Sequence, residues 1–155
     1  MPNFLDMPRM RELVGSLARH FSFKAREFGI EVGPRSANVE YVHGLGELGF
    51  NRMSVSIQDF DPAVRQAANR IQSVAQTCEV IEAARSSGFA SVSVGLIYGL
   101  SRQTPEGFER TLAEVMALGP GRVAVYGACR FRHIHRVVLA LMVGIVFLAK
   151  TMFYL

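Results

Sequence analysis

The chain is poor in cysteine, in net charge and, ahead of its C-terminal end, in long apolar runs. Its 155 residues hold only two cysteines, Cys78 and Cys129. They lie far apart and match neither a disulfide framework nor a paired-cysteine metal site, which makes a reducing cytoplasm the default. Charge of one sign is also lacking: 17 Lys+Arg against 13 Asp+Glu leave +4. The basic residues gather only around Arg130 to Arg136, so no nucleic-acid partner is expected. The opening MPNFLDMPRM has no apolar stretch behind a basic one and does not read as a secretory signal. G-x-S-x-G, H-E-x-x-H and G-x-x-x-x-G-K-[ST] are all missing, which leaves nucleophile-elbow, zinc-protease and P-loop chemistry without support. Cys129, His133 and His135 form a C-x3-H-x-H group whose spacing fits no common metal motif. No metal ligand and no catalytic residue is assigned.

What is present is a core. Half of the residues are hydrophobic, enough to exclude a disordered chain, and the length suits one domain. Met10, Leu13, Val14 and Leu17 fall at helical spacing and predict a helix over Met7 to His20, with Asp6 as its cap and Pro8 in its first turn. FGIEV (Phe28 to Val32) predicts a strand, and Val39 to Leu48 a second helix ended by Gly49. Arg52 to Gln58 predicts the next strand, followed by a helix start at Asp61-Pro62 and a longer helix from about Gln76 to Ser86, ended by Gly88. Ser91 to Tyr98 predicts a third strand, Thr104-Pro105-Glu106 a further helix start, and Arg122 to Tyr126 a fourth strand. Strands separated by helices of this length are parallel β/α units, since a parallel connection must cross over the sheet. The expected class is α/β: about four βα units of a parallel barrel or open sheet, too few for a closed eight-stranded barrel.

Strands of parallel sheets are buried on both faces and read as apolar runs, so polar residues within them need a reason. Glu31 stands in FGIEV and Gln58 ends RMSVSIQ; groups at the carboxyl ends of barrel strands converge on a site. The alternative is structural, with Glu31 paired to Arg35 or Arg52 and Gln58 serving only the loop. Arg70 is either a surface cation or a fork for a carboxylate.

The segments IEVGPRS, ELGFNRMSVSIQDFDPAVRQAANRIQ, LIYGLSRQTPEGFERTL and RVAVY, in this order, resemble the oxygen-independent coproporphyrinogen III oxidases, radical S-adenosylmethionine (SAM) enzymes, over roughly Met1 to Tyr126. The resemblance implies a radical SAM β/α barrel, a [4Fe-4S] cluster and SAM. It also implies oxidative decarboxylation of two propionates of coproporphyrinogen III to vinyl groups, giving protoporphyrinogen IX in anaerobic heme synthesis in the cytoplasm. Carried over residue by residue, it places Glu31 at a contact to one SAM, and Gln58 and Arg70 at contacts to a second.

Three departures from the family pattern stand out. Its C-x3-C-x2-C motif is absent, and MPNFL looks like the segment just after the family's glycine-rich SAM-binding stretch. Gly33 stands where the family has Asp after I-E-x, and Gly95 where a SAM-contacting Asp precedes L-I-Y-G. After Tyr126 the family's N-Y-A-H segment gives way to GACRFRHIHRVVLALMVGIVFLAKTMFYL. Residues 1–129 are therefore expected to form a partial barrel with apolar inner face and open edges prone to self-association, and residues 130–155 a basic, then apolar tail. As competing readings, the chain is a non-catalytic SAM- or heme-binding module, or a membrane-tethered or non-functional remnant.

Two expectations follow from the sequence alone. A [4Fe-4S] cluster bound for SAM chemistry needs three close thiolates, so anaerobic reconstitution should leave far fewer than about four irons and four sulfides per chain; a full complement would refute this. Val137 to Ala149 is 13 residues without a charge, and Lys150 alone interrupts the 19 residues to Leu155. That is close to the roughly 20 residues a spanning helix needs, with Arg130, Arg132 and Arg136 ahead of it favouring a cytoplasmic side. Expressed with and without residues 137–155, the full chain should partition to membranes or aggregates and the shortened one less so. Equal solubility would mean that the tail is packed against the domain.

Overall fold

The computed structural model describes residues 4–22, 27–70 and 72–128. The Cys129, His133 and His135 group and the apolar tail lie outside the described residues. Within them the order is α1 (Met7–Ala18), β1 (Gly29–Val32), α2 (Val39–Glu47), β2 (Arg52–Gln58), α3 (Pro62–Ala67), α4 (Val74–Ser86), β3 (Ser91–Tyr98), α5 (Pro105–Ala117) and β4 (Arg122–Gly127).

The helix starts are set by side chains that satisfy otherwise free amides. Asp6 accepts from Arg9 N at 3.0 Å and Asn38 from Tyr41 N at 2.8 Å. Asp61 and Thr104 do the same for α3 and α5, each with a proline in the first turn. α4 begins at Val74, earlier than its apolar spacing predicts, because Ser73 and Gln76 form a reciprocal capping box at 3.0 and 2.9 Å. Gly49 and Gly88, at φ of 92° and 79°, stop α2 and α4 in a conformation that a side chain resists.

All four strands are parallel and lie in chain order, β1-β2-β3-β4. Successive right-handed crossovers in that order place the connecting helices on one side of the sheet, as in a barrel wall. The side chains divide accordingly. Ile30, Val32, Met53, Val55, Ile57, Val92, Val94 and Leu96 are buried with Met10 of α1, Val42 and Leu45 of α2, Val80 and Ile81 of α4, and Phe108, Leu112 and Val115 of α5.

The opposite face corrects one expectation. It is not apolar: Glu31, Arg52, Ser54, Ser56, Gln58, Ser93 and Gly95 alternate with the core residues and are partly or well exposed. The strands are buried on one face only, so they read apolar-polar-apolar, a period that the sequence carries openly in SVSIQ and SVSVG. Among the described residues β1 and β4 each pair on one side only, which leaves backbone edges rather than a greasy face as the sheet's unsatisfied surface. No helix among the described residues is long and apolar enough to cross a membrane.

The loops leaving β2 and β3 are tied together by one buried carboxylate. Asp59 is 1% exposed. Its Oδ1 accepts from Asp61 N at 2.8 Å and from Thr111 Oγ1 at 2.6 Å, and its Oδ2 accepts from Gln103 Nε2. Gln103 in turn donates to Ile97 O at 3.0 Å and accepts from the amides of Gly99 and Leu100. The network replaces the water that Asp59 loses on burial. Asp59→Ala should therefore cost about 2–4 kcal/mol, because three donors lose their acceptor in a buried place. Thr111→Val should cost less, about 1–2 kcal/mol. Denaturant unfolding checks both, and an Asp59→Ala cost no larger than that of a surface substitution would contradict this role.

Candidate functional site

The polar face of the sheet carries the candidate site. In register, Glu31 lies beside Ser54 and Ser54 beside Ser93; one step toward the carboxyl ends, Ser56 lies beside Gly95. Neighbours in register point to the same face. Glu31, Ser54, Ser56 and Gly95 form the floor of a cavity of about 320 Å³, whose lining also includes Gln58, Arg70 and Tyr126. Each functional side chain arrives from a different element: Glu31 from β1, Gln58 from the end of β2, Arg70 from the turn after α3 and Tyr126 from β4.

All three residues singled out in the sequence, Glu31, Gln58 and Arg70, meet in this one cavity. Among the described residues none of their side chains takes a hydrogen bond or an ion pair. The structural alternative for Glu31 is not met. Arg52 instead holds Glu27 at 2.7 Å, and Arg35 Nη1 faces Asn69 O at 3.5 Å. A carboxylate, an amide and a guanidinium left without protein partners are groups free to serve a ligand.

Gln58 has φ of 71°, one of three non-glycine residues at positive φ among the described residues. The pairing of β2 with β3 slips between Ser56 and Gln58. Such a bulge re-aims the side chain that follows it and recurs beside sites. Gly95 leaves part of the floor bare. A Cβ there would meet Val55 O, Ser56 Cα and Tyr126 Cε2 at 3.8–3.9 Å, ordinary contact distances, so the floor has room for a side chain.

Two larger hollows, of about 600 and 750 Å³, flank the start of α2, and both include Asp6, Asn38 and Tyr41. Asp6 Oδ1 and Asn38 Oδ1 already accept capping bonds. Burial, with the Asp6 carboxylate adding to it, raises the Tyr41 phenol above its usual value and keeps it neutral near pH 7. These hollows offer less ligand chemistry than the smaller cavity.

The donor set fits SAM in kind. Glu31 suits an ammonium group or ribose hydroxyls, Gln58 both donates and accepts, and Arg70 presents a two-pronged fork to a carboxylate. It does not fit a [4Fe-4S] cluster. The chain has two cysteines, and Cys78 belongs to α4, on the helix side of the sheet. No group of three or more His, Cys, Asp or Glu residues among the described residues is arranged to hold a metal ion.

Sequence reasoning did not single out Ser54, Ser56 and Tyr126 as lining residues, although the period-two serines of SVSIQ marked the polar face. Asp59, Gln72, Gln103 and Thr111, which brace the site from behind, left no signal of spacing, since their partnership exists only after folding.

Residues 2–115 match the family model of the Radical SAM superfamily. The oxygen-independent coproporphyrinogen III oxidase of Pseudomonas aeruginosa is 43% identical over 128 residues, covering 81% of this chain and 28% of that protein. The enzyme of the same description from Thermostichus vulcanus is 46% identical over 103 residues, covering 66% of this chain and 32% of that one. In three dimensions, coproporphyrinogen III oxidase from Escherichia coli, a radical SAM enzyme, superposes with a TM-score of 0.80 at 36% identity, covering 88% of this chain and 32% of that chain. The chain thus spans about a third or less of the length of these relatives. The helix-backed parallel sheet and the matches agree: the chain belongs to the radical SAM superfamily and, within it, resembles the oxygen-independent coproporphyrinogen III oxidases.

Proposed function

We propose that this chain is the SAM-facing part of a coproporphyrinogen III oxidase barrel, holding SAM through Glu31, Gln58 and Arg70, and that it does not decarboxylate coproporphyrinogen III by itself. The observation that carries this reading is the convergence of three unpartnered polar side chains in one cavity on the polar face of the sheet. In such a site Glu31 accepts hydrogen bonds from the ammonium group or ribose of the ligand, Arg70 grips a carboxylate, and Gln58 donates and accepts between them. Ser54 and Ser56 add hydroxyls to the floor, and Tyr126 closes one wall with an aromatic edge.

In the superfamily, SAM bound to a [4Fe-4S] cluster supplies a carbon radical. The residues present here offer no third thiolate for such a cluster, so no radical step is assigned to this chain. The substrate of the lineage is coproporphyrinogen III, whose oxidative decarboxylation leads to protoporphyrinogen IX, and its setting is the cytoplasm. A second reading is a module that binds SAM or heme without catalysis. It draws support from the same pairing of a ligand-ready cavity with missing cluster thiolates.

SAM affinity is expected to be weaker than micromolar, because Gly95 leaves out a carboxylate that the resemblance places there. One charge-assisted hydrogen bond is worth about 1.5–3 kcal/mol, or roughly ten- to a hundredfold in affinity. Gly95→Asp should therefore tighten SAM by about that factor, and Glu31→Gln and Arg70→Ala should each weaken it about tenfold. Calorimetry or NMR titration reads these changes. Micromolar binding by the unaltered chain would contradict the role given to Gly95, and a Gly95→Asp chain no tighter than its parent would do the same. Indifference to both Glu31→Gln and Arg70→Ala would place SAM elsewhere. Heme bound in preference to SAM would favour the second reading.

A further inference from the structure

Gln58 enters the cavity from a backbone that has to be held. Its φ of 71° lies in the left-handed region, which residues with a side chain occupy at a cost. The slip between Ser56 and Gln58 interrupts the β2–β3 ladder at the same place. Such a conformation persists only when its surroundings enforce it.

Gln72 is placed to do so. It is 3% exposed, and its Nε2 donates to Ile57 O at 3.0 Å and lies 3.4 Å from Ser56 O. Those are the carbonyls on the approach to Gln58. The backbone of the same residue closes the turn that carries Arg70. Gln72 N donates to Arg70 O at 3.1 Å, Arg70 N donates to Arg65 O at 2.8 Å, and the Arg65 guanidinium donates to Gln72 O. One buried residue therefore touches the supports of two cavity residues, Gln58 through its side chain and Arg70 through its main chain.

We infer that Gln72 is a positioning residue: its amide locks the bulge that turns Gln58 into the cavity and fixes Arg70 beside it. The inference rests on the reading of the cavity as a SAM site only for its functional consequence; the backbone effect stands without a ligand. Removing the amide donor takes a hydrogen bond from Ile57 O in a buried place and frees the end of β2 to relax toward an extended strand. In a strand a small change of register or twist moves a side chain to the other face. Gln58 then turns away from the ligand.

The test uses the full chain and four forms: unaltered, Gln72→Met, Gln58→Gly, and the two combined. Methionine keeps the length of Gln72 and removes its donor. In the absence of ligand, the 13Cα and 13Cβ shifts of Gln58 report its left-handed backbone; they should move toward extended values in Gln72→Met and stay put if Gln72 merely fills space. In SAM titrations, Gln72→Met should weaken binding about tenfold in the parent, the loss expected when a side chain is turned out of its ligand contact. In the Gln58→Gly background, where positive φ is free and the amide is already gone, most of that loss should vanish. An equal loss in both backgrounds, as a general loosening of the fold would give, overturns the inference. If the unaltered chain binds no SAM at all, the reading of the cavity fails, while the ligand-free shifts still decide the role of Gln72.

Discussion

The Asp59 carboxylate ties down the end of the sheet on which everything else rests. It sits one residue beyond β2 and bonds to Thr111 of α5, to Gln103 in the loop after β3 and to the amide of Asp61 at the start of α3. A parallel sheet gains stability from the helices packed behind it, but the loops at its carboxyl ends have to be ordered separately, because ligand contacts come from there. By bonding to both loops at once, Asp59 makes the position of Gln58 depend on that of Gly99 and Leu100, which Gln103 holds. A buried charge with three donors is costly to assemble and costly to disturb. That cost makes the geometry at the cavity rim specific.

The division of the sheet into two faces follows from the same economy of burial. The helix side collects the branched residues of every strand into one core with Met10, Val42, Leu45, Phe108 and Val115. The other side carries serines, Gly95, Glu31 and Gln58, whose small or polar side chains leave room for the cavity. The same sequence positions that give up apolar contact there provide the donors and acceptors of the cavity. The count of two cysteines bears on the chemistry proposed for that cavity and not on its shape.

Much of this was legible in the sequence. Period two in RMSVSIQ and SVSVGLIY located both central strands, and Asp6, Asp61 and Thr104 announced their helices, because caps and alternation are local effects. Glu31 and Gln58 are polar residues on predicted strands and Arg70 a cation near a helix end, all three raised by a family resemblance, and the fold brings them into one cavity. What was not legible lies partly in local pairings that apolar spacing does not record and partly in contacts distant in sequence. Ser73 and Gln76 extended α4 beyond its apolar stripe through a local box that the spacing of apolar residues does not record. The inner face is polar and not apolar because these strands are buried on one face only, which the alternating serines of SVSIQ and SVSVG record and the general burial of parallel sheets does not. Asp59 meets Thr111 across more than fifty residues of chain, and Gln72 meets the bulge only once β2 has slipped.

The central claim is that the polar face of this sheet, between Glu31, Gln58 and Arg70, receives SAM. Photolabelling with an azido-adenine analogue of SAM, followed by peptide mapping, tests it most directly. The account predicts label on the peptides carrying Glu31, Ser54 to Gln58 or Tyr126, reduced by excess SAM and weakened by Arg70→Ala. Label confined to α1, α2 or the residues after 128, or label indifferent to excess SAM, would contradict it.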